Sequence, residues 1–301
     1  MIKILNYLVI KKYIKYLLLL MNIFIILITI CIIVLYIKKK ENFNSIKITP
    51  YTDNIKNRIL FILWIDGELT QNRKDAINSI IKTTECNVIL ITKKNLNNYI
   101  LKDYPLHKGF KYLSIIHKSD YLRCYLMHHY GGGYSDLKQA KSSWLSSYKK
   151  IKNNKNIWAV GLKGPENFGI AYPEEFNREQ RNELKQNHKN LIGVGYFIYK
   201  PRTPLTYEWY DNLNKRMDYY YEDLKKYPAK YTRESYDRPP KKWCKDETNP
   251  ELLKLKCPKE RTKYPISWNR ILGQINYPLQ LKYLKYIEYG IPKPDTSKPY
   301  I

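Results

Sequence analysis

The feature that most constrains the fold is a pair of short, unbroken apolar runs on either side of a stretch with helical spacing. The runs are residues 58–65 (RILFILWI) and 87–92 (NVILIT), and the helical spacing covers 71–83. Strands that are apolar on both faces are typical of parallel sheets covered by helices. Two such strands joined by a helix make one βαβ unit. The sequence therefore predicts an α/β domain with a mostly parallel central sheet.

The rest of the chain continues this alternation without a second domain boundary. The later predicted elements are a helix over 113–130, an extended segment over 134–137, strands over 156–161 and 191–200, a helix over 204–225 and an apolar-periodic stretch over 267–289. A domain of this length is large enough to bury a continuous apolar core.

Residues 17–37 are almost wholly aliphatic and are followed by three lysines, Lys38–Lys40. About 20 such residues in a helix cross the hydrocarbon core of a bilayer. No small-residue cleavage pattern follows, so the run is not typical of a cleaved signal peptide. The sequence predicts a single-pass membrane protein. Its parts are a basic segment 1–16, a transmembrane anchor 17–37, a stem 38–57 and a domain 58–301.

Charge and cysteines restrict the partners and the compartment only in part. The net charge is +26, yet no arginine block, zinc-finger spacing or RNA-binding signature concentrates it, so nucleic acid is not the favoured partner. Lysines flank the apolar run on both sides, which leaves the orientation in the membrane open. Cys244 and Cys257 flank a Pro/Lys-rich loop, where an oxidising compartment would allow a disulfide.

The residues with the clearest chemistry are in SDYLR (119–123) and YGGGYSD (130–136). Asp120 and Arg123 are three apart, so on a helix they share one face and can present a carboxylate and a guanidinium to one ligand. The glycines allow close backbone approach, and Asp136 follows a strand end, where open sheets bind ligands. Either half alone is typical of a surface ion pair or a helix cap. In this order the two halves predict a ligand site.

These segments resemble the core of the DXD sugar-binding-region glycosyltransferases. That family includes fungal initiating mannosyltransferases, capsular polysaccharide enzymes and, more distantly, the large bacterial glucosylating toxins. Its members carry a Ser-Asp-x-x-Arg helix followed by Gly-Gly-x-Tyr-x-Asp-x-Asp. The resemblance implies a GT-A-type, Rossmann-like fold and a nucleotide-sugar donor. It also implies transfer of a hexose, with retention, to a glycan, protein or lipid acceptor.

The resemblance assigns roles residue by residue. It implies that Asp120 and Arg123 contact the donor sugar, with Ser119 beside them, and that Asp136 lies near the ribose and binds Mn²⁺ or Mg²⁺. Tyr134, between the glycines and Asp136, belongs to the same donor-binding segment. Arg123 as a purely structural partner of Asp120 stays an alternative.

Two tryptophans complete the predicted donor site. Trp64 in FILWIDGEL (61–69) matches the family's tryptophan that stacks on the nucleotide base. Trp268 in YPISWNRILG (264–273) lies in a segment that resembles one closing over the donor. A role in the core is the alternative for both.

The sequence departs from the family at Lys138, where the second Asp of the DXD motif is expected. Divalent cations prefer oxygen ligands and a lysine repels them. Three interpretations stay open: a metal held by Asp136 and other groups, a metal-free site with Lys138 on the diphosphate, and a lost activity. The alternative function is therefore a membrane-tethered sugar- or nucleotide-binding protein with a degenerate active site.

Overall fold

The computed structural model describes residues 21, 22, 24–31, 57–164, 169–244, 247, 249–254 and 257–297. The chain divides into two units, Met1–Lys47 and Ile48–Ile301.

The described part of the first unit is helical and its apolar side chains are exposed, including Met21 and Phe24. Among the described residues, no helix is long and apolar enough to cross a membrane. Much of the predicted anchor 17–37 lies outside the described residues, as do the segment 1–16 and, apart from Asn57, the stem 38–57.

The second unit is built on a six-stranded sheet. The strands are β1 (Ile59–Trp64), β2 (Asn87–Thr92), β3 (Gly132–Ser135), β4 (Ala159–Lys163), β5 (Ile192–Tyr199) and β6 (Ile287–Tyr289). The helices are α1 (Gln71–Thr83), α2 (Ile115–His129), α3 (Leu145–Asn153), α4 (Arg178–Gln186), α5 (Pro204–Tyr219), α6 (Tyr221–Lys226), α7 (Pro240–Cys244), α8 (Pro250–Leu253) and α9 (Gly273–Lys282).

The strand order is β2-β1-β3-β5-β4-β6. β1 pairs in parallel with β2 and β3, and β4 pairs in parallel with β6, whereas β5 is antiparallel to both β3 and β4. In the part of the chain that the structure describes, five strands therefore point one way and β5 points the other. The predicted α/β class with a mostly parallel sheet is confirmed, and the arrangement is consistent with a Rossmann-like fold.

Alternate residues of β1 pack into two apolar layers, one on each face of the sheet. Phe61 and Leu63 belong to a cluster that includes Tyr121 of α2 and Trp209 of α5. Leu60 and Ile62 belong to a second cluster, which includes Ile80 of α1 and Ile151 of α3. α2 is buried along most of its length, which explains how charged side chains on it come to lie inside the protein.

The glycine run brings β3 against β1. Gly131 and Gly132 have φ angles of 65° and 88°, which favour glycine, and a Cβ on Gly132 would lie 2.9 Å from the carbonyl oxygen of Ile59. The strand begins at Gly132, earlier than the predicted segment 134–137, because the glycines themselves pair with β5. This register brings Asp136 to the edge where β1 also ends.

Candidate functional site

A cleft lies at the carboxyl ends of β1 and β3, beside the first half of α2. Its cavity volume is about 150 Å³, and about 900 Å³ with the open mouth included. The lining residues that the sequence predicted are Trp64, Ser119, Arg123, Tyr134 and Asp136. The lining residues that it did not predict include Asp66, Thr70, Arg73, Thr232 and Arg233.

Arg123 contacts several side chains at the centre of the cleft. Its Nη2 lies 3.6 Å from Oδ1 of Asp120 and 3.4 Å from Oδ1 of Asp136. Its Nη1 donates a hydrogen bond of 3.0 Å to the carbonyl oxygen of Val194, and its guanidinium lies 4.5 Å from the centre of the Tyr134 ring. The Tyr134 hydroxyl in turn donates to Oδ1 of Asp136 at 2.9 Å. One cation therefore joins the two carboxylates that the sequence singled out.

Burial changes the pKa of the Asp120 carboxyl. Asp120 is 3% exposed, and burial raises the pKa of its carboxyl to about 7, with Arg123 opposing this shift and Asp136 adding to it. At neutral pH this carboxyl exchanges readily between its protonated and ionised forms. Asp120 is not among the residues that line the cleft, and its connection to the cleft is the ion pair with Arg123.

Trp64 lines the cleft and also packs against the core, so both of its predicted environments are present. Its Nε1 donates to the carbonyl oxygen of Gly67 at 2.9 Å, and the Arg73 guanidinium lies 5.7 Å from the ring centre. An indole held in this way at a cleft wall offers a surface on which a flat ring can stack.

Trp268 is partly buried and does not line the cleft. The guanidinium groups of Arg238 and Arg233 lie 3.2 Å and 5.4 Å from its ring centre, and Arg233 itself lines the cleft. The backbone N–H of Trp268 donates to Asp237 at 2.8 Å. Trp268 therefore contacts Arg233, a cation that lines the cleft, without lining the cleft itself.

Lys138 lines a different cavity, of about 10 Å³, with Ser135 and Trp144 among its neighbours. Its backbone N–H donates to the carbonyl oxygen of Asp136 at 2.8 Å, which makes a tight turn after β3. The side chains of Lys138 and Asp136 thus line separate cavities.

The cleft is lined instead by three guanidinium groups, those of Arg73, Arg123 and Arg233. Arg73 is 8% exposed and donates from Nη1 to the carbonyl oxygen of Leu137 at 2.6 Å. The sequence analysis missed Arg73 and Arg233. A signal for Arg73 existed, because it shares the buried face of α1 with Ala76 and Ile80.

The donor atoms near Asp136 do not make a metal cage. Among the described residues, no group of three or more His, Cys, Asp or Glu side chains is placed to hold a metal ion. Oδ1 of Asp136 accepts from Tyr134 and lies beside the Arg123 cation. These surroundings fit a carboxylate paired with protein groups better than a ligand of Mn²⁺ or Mg²⁺. Asp136 as a metal ligand stays a prediction.

A disulfide joins Cys244 and Cys257, with 6.0 Å between their Cα atoms. Glu247, between them, accepts a 2.6 Å hydrogen bond from the Thr232 hydroxyl. Asn249 donates to Oδ2 of Asp66 at 3.2 Å. Thr232 and Asp66 both line the cleft, so the disulfide loop is tied to two parts of its wall.

Comparisons with known proteins agree with this geometry at the level of a family. Residues 30–137 match the model of a family described as capsular polysaccharide synthesis protein. The match covers less than half of the chain, and it includes β1, α1, β2, α2 and β3. No curated protein and no solved structure matches the chain. The chain is thus similar to a capsular polysaccharide synthesis family, and this similarity indicates a glycosyltransferase-type role.

Proposed function

We propose that this chain is a GT-A-type glycosyltransferase that transfers a hexose from a nucleotide-sugar donor bound in the cleft. The observation that carries the proposal is the network of Asp120, Arg123, Asp136 and Tyr134 beside Trp64, in which Asp136 is partly exposed to the cleft and the other members are buried. Open α/β sheets bind ligands at the carboxyl ends of their strands, where this network lies. The match to a capsular polysaccharide synthesis family supports the same reaction class.

In the proposed complex the base stacks on Trp64 and the sugar lies against Arg123, with Asp120 as the buried partner of that guanidinium. The acceptor oxygen bonds to the anomeric carbon while the bond from that carbon to the diphosphate breaks. The bonding electron pair leaves on the diphosphate, which takes up the acceptor's hydroxyl proton. With retention, the acceptor attacks from the face that the diphosphate leaves.

Cations around the diphosphate would stabilise the charge that develops on it. Arg73 and Arg233 line the cleft and are the candidates that its geometry favours. Lys138 remains the candidate cation that the sequence motif after β3 indicates, although it lines the smaller cavity. No step is assigned to a metal ion.

We further propose that residues 17–37 anchor the domain and that the domain faces an oxidising compartment. The Cys244–Cys257 disulfide supports an oxidising compartment, because such bonds persist in oxidising surroundings and are rare in the cytosol.

The second candidate function is a membrane-tethered protein that binds a sugar or nucleotide without turnover. Two observations favour it: Lys138 replaces the family's second carboxylate, and no three-ligand metal group exists among the described residues.

A donor screen tests the proposal. The full chain is incubated with each common nucleotide sugar, in Mn²⁺ and separately in EDTA, and release of the nucleoside diphosphate is followed. We expect turnover of one donor and loss of that turnover in Asp120→Asn, while Tyr104→Ala, a change outside the cleft, keeps it. Nucleotide binding without turnover of any donor would favour the binding protein. NMR of the product's anomeric configuration tests retention.

A further inference from the structure

A second cavity lies outside the cleft and shares none of its lining residues. Its volume is about 340 Å³, within the range of about 300–1,000 Å³ that is usual for ligand pockets. The side chains that give it its character are Tyr220, Tyr227, Tyr236, Glu174, Asp223 and Lys263. We name it the tyrosine cavity.

The lining combines aromatic rings with carboxylates. The C–H faces of a sugar ring pack against aromatic rings, and carboxylates make strong hydrogen bonds to hydroxyl groups. Tyr236 is 58% exposed, so a large aromatic surface at this cavity faces solvent. Glu174 and Asp223 outnumber Lys263, although the whole chain carries a charge of +26. Cations lie against two of the rings, with Lys263 5.4 Å from the Tyr227 ring centre and Arg270 5.7 Å from the Tyr220 ring centre, so Tyr236 is the ring most open to a sugar. Because both lining carboxylates are exposed, the lining favours a neutral sugar over a phosphate or a uronic acid.

Hydrogen bonds hold the walls of the cavity in place before any ligand arrives. Arg270 donates from Nε to the Tyr220 hydroxyl at 3.0 Å, and its Nη1 lies 3.1 Å from Glu175. The backbone N–H of Tyr236 donates to the carbonyl oxygen of Ile266 at 2.8 Å. These bonds fix the Tyr220 ring and the backbone of Tyr236, and a wall that is ordered in advance loses less entropy when it binds.

The tyrosine cavity and the cleft are lined by residues close together in the sequence. Thr232 and Arg233 line the cleft, and Tyr236 lines the tyrosine cavity. Three residues of chain span at most about 11 Å, so Arg233 and Tyr236 lie within the length of a short oligosaccharide. A second chain segment also adjoins both cavities. Ser267 lines the tyrosine cavity, and its neighbour Trp268 lies against Arg233, which lines the cleft.

We propose that the tyrosine cavity binds the acceptor and that the acceptor is a neutral oligosaccharide. Its end would pass the 232–236 segment to reach the sugar in the cleft. The proposal rests on the proposed glycosyltransferase function for its meaning, but sugar binding by the cavity is measurable without turnover.

Saturation-transfer NMR with the full chain in detergent micelles tests the binding. The probes are maltotriose, cellotriose and mannotriose, with trigalacturonic acid as the anionic comparison. We expect at least one neutral trisaccharide to bind and trigalacturonic acid to bind more weakly. Tyr236→Ala should lower the affinity for the neutral trisaccharide by about tenfold, the loss expected for one well-packed aromatic contact. Tyr104→Ala removes another exposed tyrosine, outside both cavities, and should leave binding unchanged.

Asp223→Asn serves as a second variant, because Asp223 is exposed and its replacement leaves the core intact. This variant should also weaken binding of the neutral trisaccharide. Binding of none of the neutral probes, preference for trigalacturonic acid, or equal effects of Tyr236→Ala and Tyr104→Ala would overturn the proposal. If trisaccharide binding depends on Tyr236 while no donor is turned over, the cavity assignment stands and the glycosyltransferase proposal fails. If a donor is turned over, Tyr236→Ala should raise the acceptor KM, whereas Tyr104→Ala should leave it unchanged.

Discussion

The cleft and the tyrosine cavity are lined by neighbouring residues of one chain segment, 232–236, and differ in their chemistry. The cleft is lined by three guanidinium groups, an indole and a carboxylate paired with Arg123. The tyrosine cavity is lined by three tyrosines, two carboxylates and one lysine. A diphosphate suits the first lining and a neutral sugar suits the second. Under the two proposals, these linings would take ligands of unlike charge, a nucleotide sugar in the cleft and a neutral glycan in the tyrosine cavity.

The two sites also differ in how their charges are held. Asp120 and Arg123 are 3% and 9% exposed, whereas Asp223 is exposed to solvent. A buried charge depends on its partner, because no water replaces the partner when it is removed. Changes in the cleft should therefore affect stability as well as binding, and changes in the tyrosine cavity should affect binding alone.

The largest expected effect is that of Arg123→Gln, which leaves Asp120 and Asp136 without their shared cation. Breaking a buried ion pair costs about 3–5 kcal/mol in the free energy of unfolding. Urea unfolding of the variant measures the loss. The double variant Arg123→Gln/Asp120→Asn should recover part of it, and Asp223→Asn should change stability by less than about 0.5 kcal/mol. Equal losses for Arg123→Gln and Asp223→Asn would contradict the contrast between the two sites.

Removing the disulfide should disturb the cleft more than the tyrosine cavity. Cys244→Ser/Cys257→Ser should lower the free energy of unfolding by about 3 kcal/mol, the chain-entropy value for a loop of this length. Nucleotide affinity should fall, because Glu247 and Asn249 hold Thr232 and Asp66, while trisaccharide binding should persist. A reductant should reproduce the effect in the wild type and change nothing in the double variant. A loss of trisaccharide binding instead would show that the loop supports the other site.

Trp64→Ala should weaken binding of the nucleoside diphosphate by about 1–3 kcal/mol, the usual contribution of stacking between a base and an aromatic ring. Asp120→Asn should spare that binding and lower sugar transfer. Calorimetry with the free nucleotide separates the two variants, and Tyr236→Ala is the matched aromatic control. Equal losses in all three variants would indicate a general loss of structure.

Ionisation of Asp120 should make the free energy of unfolding depend on pH. Burial raises its pKa to about 7 from the ordinary value of 3.8. The folded protein therefore holds a proton that the unfolded chain releases, and stability should fall as pH rises from about 4 to about 7. The slope from this group is at most about 1.4 kcal/mol per pH unit. Asp120→Asn should remove that slope, as followed by urea unfolding at several pH values. A slope unchanged by Asp120→Asn would assign it to another group.

The smallest expected effect concerns Lys138. Because Lys138 lines the smaller cavity, Lys138→Ala should change nucleotide affinity less than Arg233→Ala does. If Lys138 instead supplies the charge of the missing metal, the wild type should work in EDTA and Lys138→Ala should lose activity. In that case Lys138→Asp should act only with Mn²⁺. A wild type that is inactive in EDTA and restored by Mn²⁺ would refute the charge-replacement hypothesis.

Local sequence predicted the strands well where they are buried on both faces. The run 58–65 became β1, which is buried along its centre as expected. The run 87–92 also became a strand, but β2 lies at the sheet edge and only Ile91 of it is buried, so its predicted burial on both faces was wrong. Short or polar elements were harder to predict. α4 was missed although Asn177 and Gln180 form a capping box at its start, since the helix is almost wholly polar.

The sequence by itself determined that Asp120 and Arg123 share a helix face and that the glycines deliver Asp136 to a strand end. These relations follow from the helical repeat and from glycine's backbone freedom, both of which are local. The tertiary structure decided that Arg73 and Arg233 join Arg123 in the cleft, that Lys138 lines another cavity, and that Tyr220, Tyr227 and Tyr236 meet. These groupings depend on how distant segments pack against one sheet. Such packing is set by shape and burial over the whole domain, and no local pattern encodes it.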